Sequence, residues 1–349
     1  MNEGRDAAFA GPTSQTIFHV HPLQRCNLAC LHCYSDSSPA ATAMLSLSQL
    51  RSAVHWAADC GYKVLSVSGG EPLLYPQLSQ LLQLGRECGM ATAVVTNGLL
   101  LERAGALEAL RRADTVAVSV DGLSNTHDQM RGRPRAFHQV LAALGRLRGE
   151  GIAFAINCGV TPSNLGELDE LAAAVLAAGA SALQLHPVEA SGRANSETAD
   201  LVLDDEAATA FYVLAHLLKV EYAGRLTIAV DALHRETLLA QPHMLYGRPA
   251  PVLKGKQDLA DNVGVLVLDP FGNLMPIAYG FAKPLWLGNL EDDLGPLCRR
   301  YLAEGGEVHK LYALGQRTSD KIARGLGPDV FNPSDVLARA SHRGLVAIV

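Results

Sequence analysis

The stretch CNLACLHCY at residues 26–34 is the part of this 349-residue chain that decides its fold and chemistry. It places three cysteines, Cys26, Cys30 and Cys33, in a C-x3-C-x2-C spacing. Because cysteine thiolates ligate both iron–sulfur clusters and zinc, the triplet predicts a metal centre. Three thiolates on a four-iron cluster leave one iron open to a further ligand, which suits catalysis better than electron transfer. A zinc site with His32 as the fourth ligand and a set of merely buried small side chains are the alternatives.

The composition narrows the class of protein. Hydrophobic residues make up 48% of the chain and aromatic residues only 5%, which favours an interior of Ala, Leu and Val in an α/β fold. The net charge of −6 does not show the excess of basic residues that is typical of nucleic-acid-binding proteins. The sequence has no apolar run long enough for a transmembrane helix and no signal-peptide pattern at its start. Three clustered and four scattered cysteines do not indicate a disulfide framework, so we expect a cytoplasmic protein without membrane contacts.

The hydrophobic pattern predicts six strands that alternate with helices between residues 16 and 200. Such alternation predicts parallel strands with right-handed crossovers, that is, a partial (β/α)6 TIM-like barrel. After residue 200 we expect a long helix at 203–222, a strand at 226–230, a Pro- and Gly-rich loop at 241–256 and a hairpin over 263–275. The predicted organisation is a flexible leader at 1–15, the barrel at 16–200 and a small α+β extension at 201–349.

Each unusual motif follows a predicted strand. The cysteine loop follows the first strand, GGEP at residues 69–72 the second, TNG at 96–98 the third and SVDG at 119–122 the fourth. The carboxyl ends of parallel strands meet at one edge of a barrel, and that edge carries the active site. The order of the motifs alone therefore predicts a single site.

The spacing of the three cysteines, the aromatic residue after them and the GGEP loop together resemble the radical S-adenosylmethionine (SAM) superfamily over residues 16–200. The resemblance implies a partial barrel of the radical SAM type that holds one [4Fe–4S] cluster on Cys26, Cys30 and Cys33 and binds SAM. No catalytic residue beyond the cluster and SAM site stands out. The residues that the resemblance places around SAM are Tyr34, Gly69, Gly70, Glu71, Thr96, Asn97, Ser119, Asp121, Asn157 and Arg193.

The resemblance also implies roles for these residues. Tyr34 is expected to pack on the adenine, and the carboxylate of Glu71 to hold the SAM ammonium with the main-chain carbonyls of the preceding glycines. Ser119 and Asp121 are expected at the ribose, and Arg193 at the SAM carboxylate. Thr96 and Asn97 are expected to line the pocket or to form a structural turn, and Asn157 needs a polar partner within its apolar strand.

Residues 266–276 and 287–290 resemble the start of the SPASM extension, whose cysteines hold auxiliary clusters in related enzymes. Ile277 stands where the first of those cysteines is expected, and Cys298 is the only later thiol. We therefore expect a degenerate extension without a second cluster, acting as a lid whose hairpin near Gly272 covers the SAM pocket. The remaining thiols are expected in the core, at Cys60, Cys88 and Cys158.

The resemblance implies reductive cleavage of SAM to a 5′-deoxyadenosyl radical that takes hydrogen from a peptide or a cofactor precursor. The expected partners are the substrate, a flavodoxin- or ferredoxin-type electron donor and a peptide-carrier protein. The later fate of the substrate stays open among cross-linking, epimerisation, methylation and rearrangement. The alternative class is a non-catalytic iron–sulfur or zinc scaffold on the same barrel.

Overall fold

The computed structural model describes residues 15–196, 199–246 and 258–343. The predicted leader, apart from residue 15, and residues 247–256 of the predicted loop lie outside these ranges. The strands are β1 (Ile17–Val20), β2 (Val64–Val67), β3 (Ala91–Thr96), β4 (Thr115–Ser119), β5 (Ala155–Val160), β6 (Ala182–Pro187), β7 (Thr227–Val230), β8 (Leu233–His234), β9 (Val265–Leu268), β10 (Asn273–Pro276), β11 (Gly288–Asn289) and β12 (Val330–Phe331).

The helices follow the same order along the chain. They are α1 (Leu47–Asp59), α2 (Leu78–Glu87), α3 (Ala106–Arg111), α4 (Ser124–Arg131), α5 (Ala136–Gly149), α6 (Leu168–Ala178), α7 (Arg193–Ser196), α8 (Asp205–Glu221), α9 (Arg235–Ala240), α10 (His243–Tyr246), α11 (Leu259–Asn262), α12 (Leu294–Leu302), α13 (Glu307–Ala323) and α14 (Pro333–Arg343). None of these described helices is long and apolar enough to cross a membrane.

Ten strands form one sheet in the order β11-β10-β9-β1-β2-β3-β4-β5-β6-β7. Strands β1 to β7 are parallel, and the helices between successive strands make the crossovers. The predicted α/β fold with six strand–helix units is confirmed. The sheet also continues past the boundary expected near residue 200, because β7 pairs with β6 and β9 pairs in parallel with β1.

The core lies between the sheet and the helices that cover it. The strand residues that point outward, such as Phe18, Leu65 and Leu183, are fully buried against helical side chains such as Leu50 and Leu171. The sequence predicts Ser46 as the cap of the first helix, and the Ser46 side chain does accept a hydrogen bond from the main chain of Gln49 in a capping box ahead of α1.

Two helical regions differ from the sequence prediction. The sequence predicts a helix over residues 102–111, whereas α3 begins only at Ala106, after a left-handed Gly105 (φ 82°). Helix α4 was not predicted, because its sequence SNTHDQMR lacks an apolar periodicity. Its buried face is largely polar, and two of its side chains, His127 and Arg131, enter the site described next.

Candidate iron–sulfur and cofactor site

The cysteine loop lies at the edge of the sheet where the parallel strands end. Cys26 and Cys30 are buried with Leu28 in one cluster, and Cys33 packs against them. The main-chain N–H of Leu28 points at Cys26 Sγ (3.4 Å), and that of Ser37 points at Cys33 Sγ (3.3 Å). Such donors stabilise a thiolate over a thiol.

Burial has the opposite effect on the free thiols. It raises the pKa of Cys26 to about 12 and also raises the pKa of Cys30. At Cys30 the guanidinium of Arg131, 3.8 Å from Sγ, partly counters the burial. Without a bound cation these thiols therefore keep their protons at neutral pH. A metal that binds the sulfur atoms would displace those protons.

Arg193 holds the cysteine loop in shape. Its guanidinium donates to the main-chain oxygens of Cys30 and Ser37 and pairs with Asp36 (3.0 Å). Its own N–H donates to Cys33 O (3.0 Å). Arg193 was expected to bind the SAM carboxylate, but its guanidinium contacts the protein loop that carries the thiols.

The GGEP loop docks directly on the cysteine loop. The N–H of Gly70 donates to Leu23 O and that of Glu71 to Arg25 O, both at 3.0 Å. A Cβ on Gly70 would lie 2.1 Å from Arg25 O, so only glycine permits this approach. Gly69 takes φ 109°, which also favours glycine. The two glycines thus serve the contact between two loops of the site.

The Glu71 carboxylate is fully buried and binds three donors of its own chain. Oε1 accepts from the Thr96 hydroxyl (2.7 Å) and from Leu73 N (3.0 Å), and Oε2 accepts from Asn97 N (2.9 Å). Burial raises its pKa, although these hydrogen bonds oppose the rise. Glu71 was expected to hold the SAM ammonium; the geometry has its carboxylate join the ends of β2 and β3.

Asn97 extends this connection to the cysteine loop. Its side-chain amide donates to Asn27 Oδ1 (2.8 Å) and contacts Cys26 Sγ (3.8 Å). Its side-chain oxygen accepts from Leu99 N (3.0 Å), which forms the turn after β3. These contacts make Thr96 and Asn97 part of the framework of the site, and their contact with SAM stays a prediction.

Asp121 lies in a buried charge cluster beneath the cysteine loop. Its Oδ2 pairs with Arg131 Nε (2.7 Å) and lies 3.5 Å from His32 Nε2, and its Oδ1 accepts from Gly159 N (3.0 Å). Only 1% of Asp121 is exposed. The ribose role expected for Asp121 is therefore not the role that this geometry supports. His32 Nε2 faces Asp121 Oδ2.

Ser119 and Asn157 lie side by side in the sheet, as the β4–β5 register shows. The Oδ1 atom of Asn157 is buried and has no hydrogen-bond partner among the described residues. A buried polar atom without a partner is costly, so it marks a place where a ligand donor fits. These two residues remain candidates for contact with SAM.

Three aromatic side chains cover the site. The Tyr34 hydroxyl lies 3.2 Å from His21 Nε2 and 3.4 Å from Ser68 Oγ. Tyr279 stacks on His21 with ring centroids 5.3 Å apart and meets Tyr34 edge-on at 5.7 Å. Sequence reasoning missed His21 and Tyr279; the alternation in FHVH at 18–21 was a usable signal for His21, whereas Tyr279 carried none.

The C-terminal segment reaches the site through an unusual backbone conformation. Ile277, the residue at the expected auxiliary cysteine position, has φ 67°, which is strained for a β-branched side chain. Two residues later Tyr279 contacts Tyr34. The hairpin turn near Gly272 follows β9 at the same sheet edge, but the ring contact with the cysteine loop comes from Tyr279.

The remaining thiols occupy packing positions. Cys158 is fully buried, and Cys60 and Cys88 pack against the core as expected. Cys298, on α12, also packs there and interacts with the Cys60 thiol. Cys298 thus interacts with another cysteine that packs against the core.

The donor set fits a cubane cluster with an open iron. The three cysteines supply soft thiol ligands from one packed cluster, with N–H donors aimed at two of the sulfur atoms. Among the described residues no three His, Cys, Asp or Glu side chains are spaced for one metal ion. That spacing applies to a single ion. In a cubane each thiolate would bind a separate iron, so the three sulfur atoms need not converge on one point.

Comparison with known proteins assigns this site to a family. Residues 20–175 match the family model of the Radical SAM superfamily. This part of the chain is a radical SAM domain. A [4Fe–4S] cluster and SAM are the cofactors of this superfamily, and all three thiols lie within the matched residues.

Similar proteins extend the comparison beyond the radical SAM domain. The chain is 27% identical over 295 residues to the antilisterial bacteriocin subtilosin biosynthesis protein AlbA of Bacillus subtilis, covering 82% of this chain and 59% of AlbA. It is 36% identical over 147 residues to an AdoMet-dependent heme synthase of Methanosarcina barkeri, covering 41% of this chain and 42% of that protein. The chain thus spans about half the length of these curated relatives.

The fold agrees with a solved structure. Streptococcus suis SuiB bound to S-adenosylmethionine aligns with a TM-score of 0.64 at 16% identity, over 86% of this chain and 68% of SuiB. At this identity the likeness concerns the fold alone. It extends past the radical SAM domain into the strands after residue 200.

Proposed function

We propose that this protein is a radical SAM enzyme that modifies a peptide. The observation that carries the proposal is the contact cluster of Cys26, Cys30 and Cys33 within a radical SAM domain. When bound and reduced, the cluster supplies the electron that cleaves SAM to methionine and a 5′-deoxyadenosyl radical, which takes a hydrogen atom from the substrate. The other residues described at the site position and enclose the thiols.

The side chains around the thiols serve as that enclosure. Arg193 and the docked GGEP loop fix the cysteine loop, while the Asp121–Arg131 pair supports it from below. Tyr34 and Tyr279 close the face toward the C-terminal segment. Excluding water there protects reactive species from side reactions. We propose that Ser119 and Asn157 contact SAM directly.

A cavity of about 630 Å³ beside the sheet edge supports a peptide as the substrate. It lies next to the ends of β6 and β7 and is bounded by α8, α13 and α14. Its wall is mostly apolar, for instance at Phe211 and Phe331, and Glu189 lines it together with the exposed Arg317 and Lys321. A mostly apolar wall with some polar groups that can orient a ligand is typical of binding pockets. The likeness to a bacteriocin biosynthesis protein favours the same substrate class.

A cofactor precursor is the second candidate, and the likeness to an AdoMet-dependent heme synthase favours it. We further propose a cytoplasmic location, a flavodoxin- or ferredoxin-type electron donor and a separate peptide-carrier protein. The carrier would bring the peptide to the cavity.

The test uses protein reconstituted with iron and sulfide under anaerobic conditions, then reduced with dithionite in the presence of SAM. We expect 5′-deoxyadenosine and methionine in equal amounts, followed by a mass change in a synthetic precursor peptide encoded beside the gene. The matched control is Cys30→Ala, which should form neither product. Reconstituted wild-type protein that forms no 5′-deoxyadenosine would refute the proposal.

A further inference from the structure

A polar relay joins the ends of β6 and β7. Asp231, directly after β7, accepts at Oδ2 from Gln184 Nε2 (2.7 Å) and lies 2.9 Å from His186 Nδ1. Gln184 and His186 are on β6 and, two residues apart, point to the same face of the sheet. Sequence reasoning missed this group because its members are 45 and 47 residues apart.

The relay stands at the level of the cofactor site. In the sheet register Gln184 pairs with Asn157, and His186 pairs with Gly159, whose N–H binds Asp121. Because successive parallel strands are in register, the relay continues the polar row that begins at Ser119 and Asn157. A substrate beside SAM would therefore lie within the same lumen as His186.

The relay leaves one nitrogen of His186 available. Nδ1 faces the Asp231 carboxylate, so the neutral imidazole carries its proton on Nδ1. Nε2 has no hydrogen bond within the described part of the chain, and 46% of the side chain is open to water. The open nitrogen thus faces the lumen, and its partner Asp231 is itself held by Gln184.

The electrostatics make His186 a stronger base than an ordinary imidazole, because its pKa is raised. Burial tends to lower the pKa of His186, but the charge and hydrogen bond of Asp231, with Glu189 and Asp121 nearby, outweigh burial and raise it. His32, in the cysteine loop, is the histidine that could place a positive charge near His186. Burial lowers the pKa of His32 to about 4, so it is neutral at neutral pH. The pKa of Asp231 is lowered in turn, since the attraction of His186 exceeds the effect of burial.

We propose that His186 is the proton-transfer residue of the substrate site, with Nε2 accepting a proton from a heteroatom of the substrate. The inference rests on the proposed function. In this step the heteroatom–hydrogen bond breaks with its electron pair left on the heteroatom, and an Nε2–H bond forms. The step needs no oxidant. The resulting imidazolium is stabilised by Asp231, while Gln184 positions the carboxylate.

The first experiment probes His186 without any substrate. Diethylpyrocarbonate acylates open, unprotonated imidazole nitrogens, and peptide mass mapping of the reconstituted protein resolves each histidine. We expect His186 to be labelled with a midpoint above pH 6.5, the ordinary histidine value. Asp231→Asn should lower this midpoint by about one unit or more, since an opposite charge at this range shifts a pKa by roughly 1–3 units. An unlabelled His186, or a midpoint that Asp231→Asn leaves unchanged, would overturn the relay.

The second experiment separates this role from the proposed function. With a peptide that the wild-type enzyme modifies, His186→Gln should still yield 5′-deoxyadenosine but lose modified peptide by roughly 100-fold or more, the usual range for a general base. The control is His138→Gln, an exposed histidine on α5, which should behave as wild type. Peptide modification at the wild-type rate in His186→Gln would refute the proton-transfer role. Absence of 5′-deoxyadenosine in the wild type would refute the proposed function instead, and the labelling experiment would still decide on the relay.

Discussion

The Asp121–Arg131 pair allows a direct test of what the buried charges in the site do. The two side chains are 1% and 10% exposed and approach to 2.7 Å. Asp121→Asn leaves the Arg131 guanidinium buried without its counter-charge, which costs about 3–5 kcal/mol of folding free energy in comparable buried pairs. Because Arg131 also contacts Cys30 Sγ, the same change should loosen the cysteine loop.

The assay is urea unfolding of the anaerobically reconstituted protein, with and without SAM. We expect Asp121→Asn to lower the unfolding midpoint strongly in both conditions. The double variant Asp121→Asn/Arg131→Met removes both charges and should recover part of the loss. As a surface control, Asp329→Asn breaks the Arg235 pair, whose side chains are 29% and 52% exposed, and should cost about 1 kcal/mol or less.

The alternative ribose role of Asp121 makes the opposite prediction. Asp121→Asn would then weaken SAM binding and leave the unfolding midpoint without SAM unchanged, and that result would refute our reasoning. The pH dependence gives a further check. Burial tends to raise the pKa of Asp121, but Arg131, then His32 and His127, outweigh it and hold the pKa below 3.8. The pair therefore stabilises the fold fully at neutral pH, and the contribution is lost as pH falls through the lowered pKa.

Three further predictions concern the thiols and two buried carboxylates. Iron and sulfide analysis should give about four irons per chain in the wild type and none in Cys30→Ala; about four retained irons in that variant would contradict the assignment. Glu71→Gln should lower the free energy of unfolding by roughly 1–3 kcal/mol even without SAM, because its amide meets the N–H of Asn97; a thermal midpoint equal to wild type would restore the direct SAM role. Burial raises the pKa of Glu189 from 4.5 to about 7, so the folded state binds the extra proton between these values. Stability should thus fall as pH rises from 4.5 to 7, and Glu189→Gln should abolish that slope in urea titrations at several pH values.

Much of the fold followed from local sequence. The alternation of short apolar strands with amphipathic helices predicts parallel pairing, and nine predicted strands up to β10 appear in the structure. The cysteine spacing also places three thiols close together, because they lie within one short loop; their role as cluster ligands stays a prediction. Helix α4 was not predicted because its buried face is largely polar. The hydrophobic pattern of the sequence does not reveal the partners of such a face.

The roles of single polar residues depended on partners elsewhere in the chain. Glu71, Asp121 and Arg193 carry charges that suit a cationic or anionic ligand, and from sequence each was assigned to SAM. In the folded chain these charges contact donors or acceptors of the protein, since burial without a partner would be costly.

The sequence by itself predicted the α/β fold with parallel strands, the three thiols as cluster ligands and the sheet edge at which the site forms. Those properties depend on periodicity and on spacings of a few residues, which the chain carries locally. Only the tertiary structure decided that Tyr279 covers Tyr34 and that His186 meets Asp231. Strand register and the return of the C-terminal segment bring these side chains together, and contacts over such separations arise from packing of the whole sheet rather than from any local pattern.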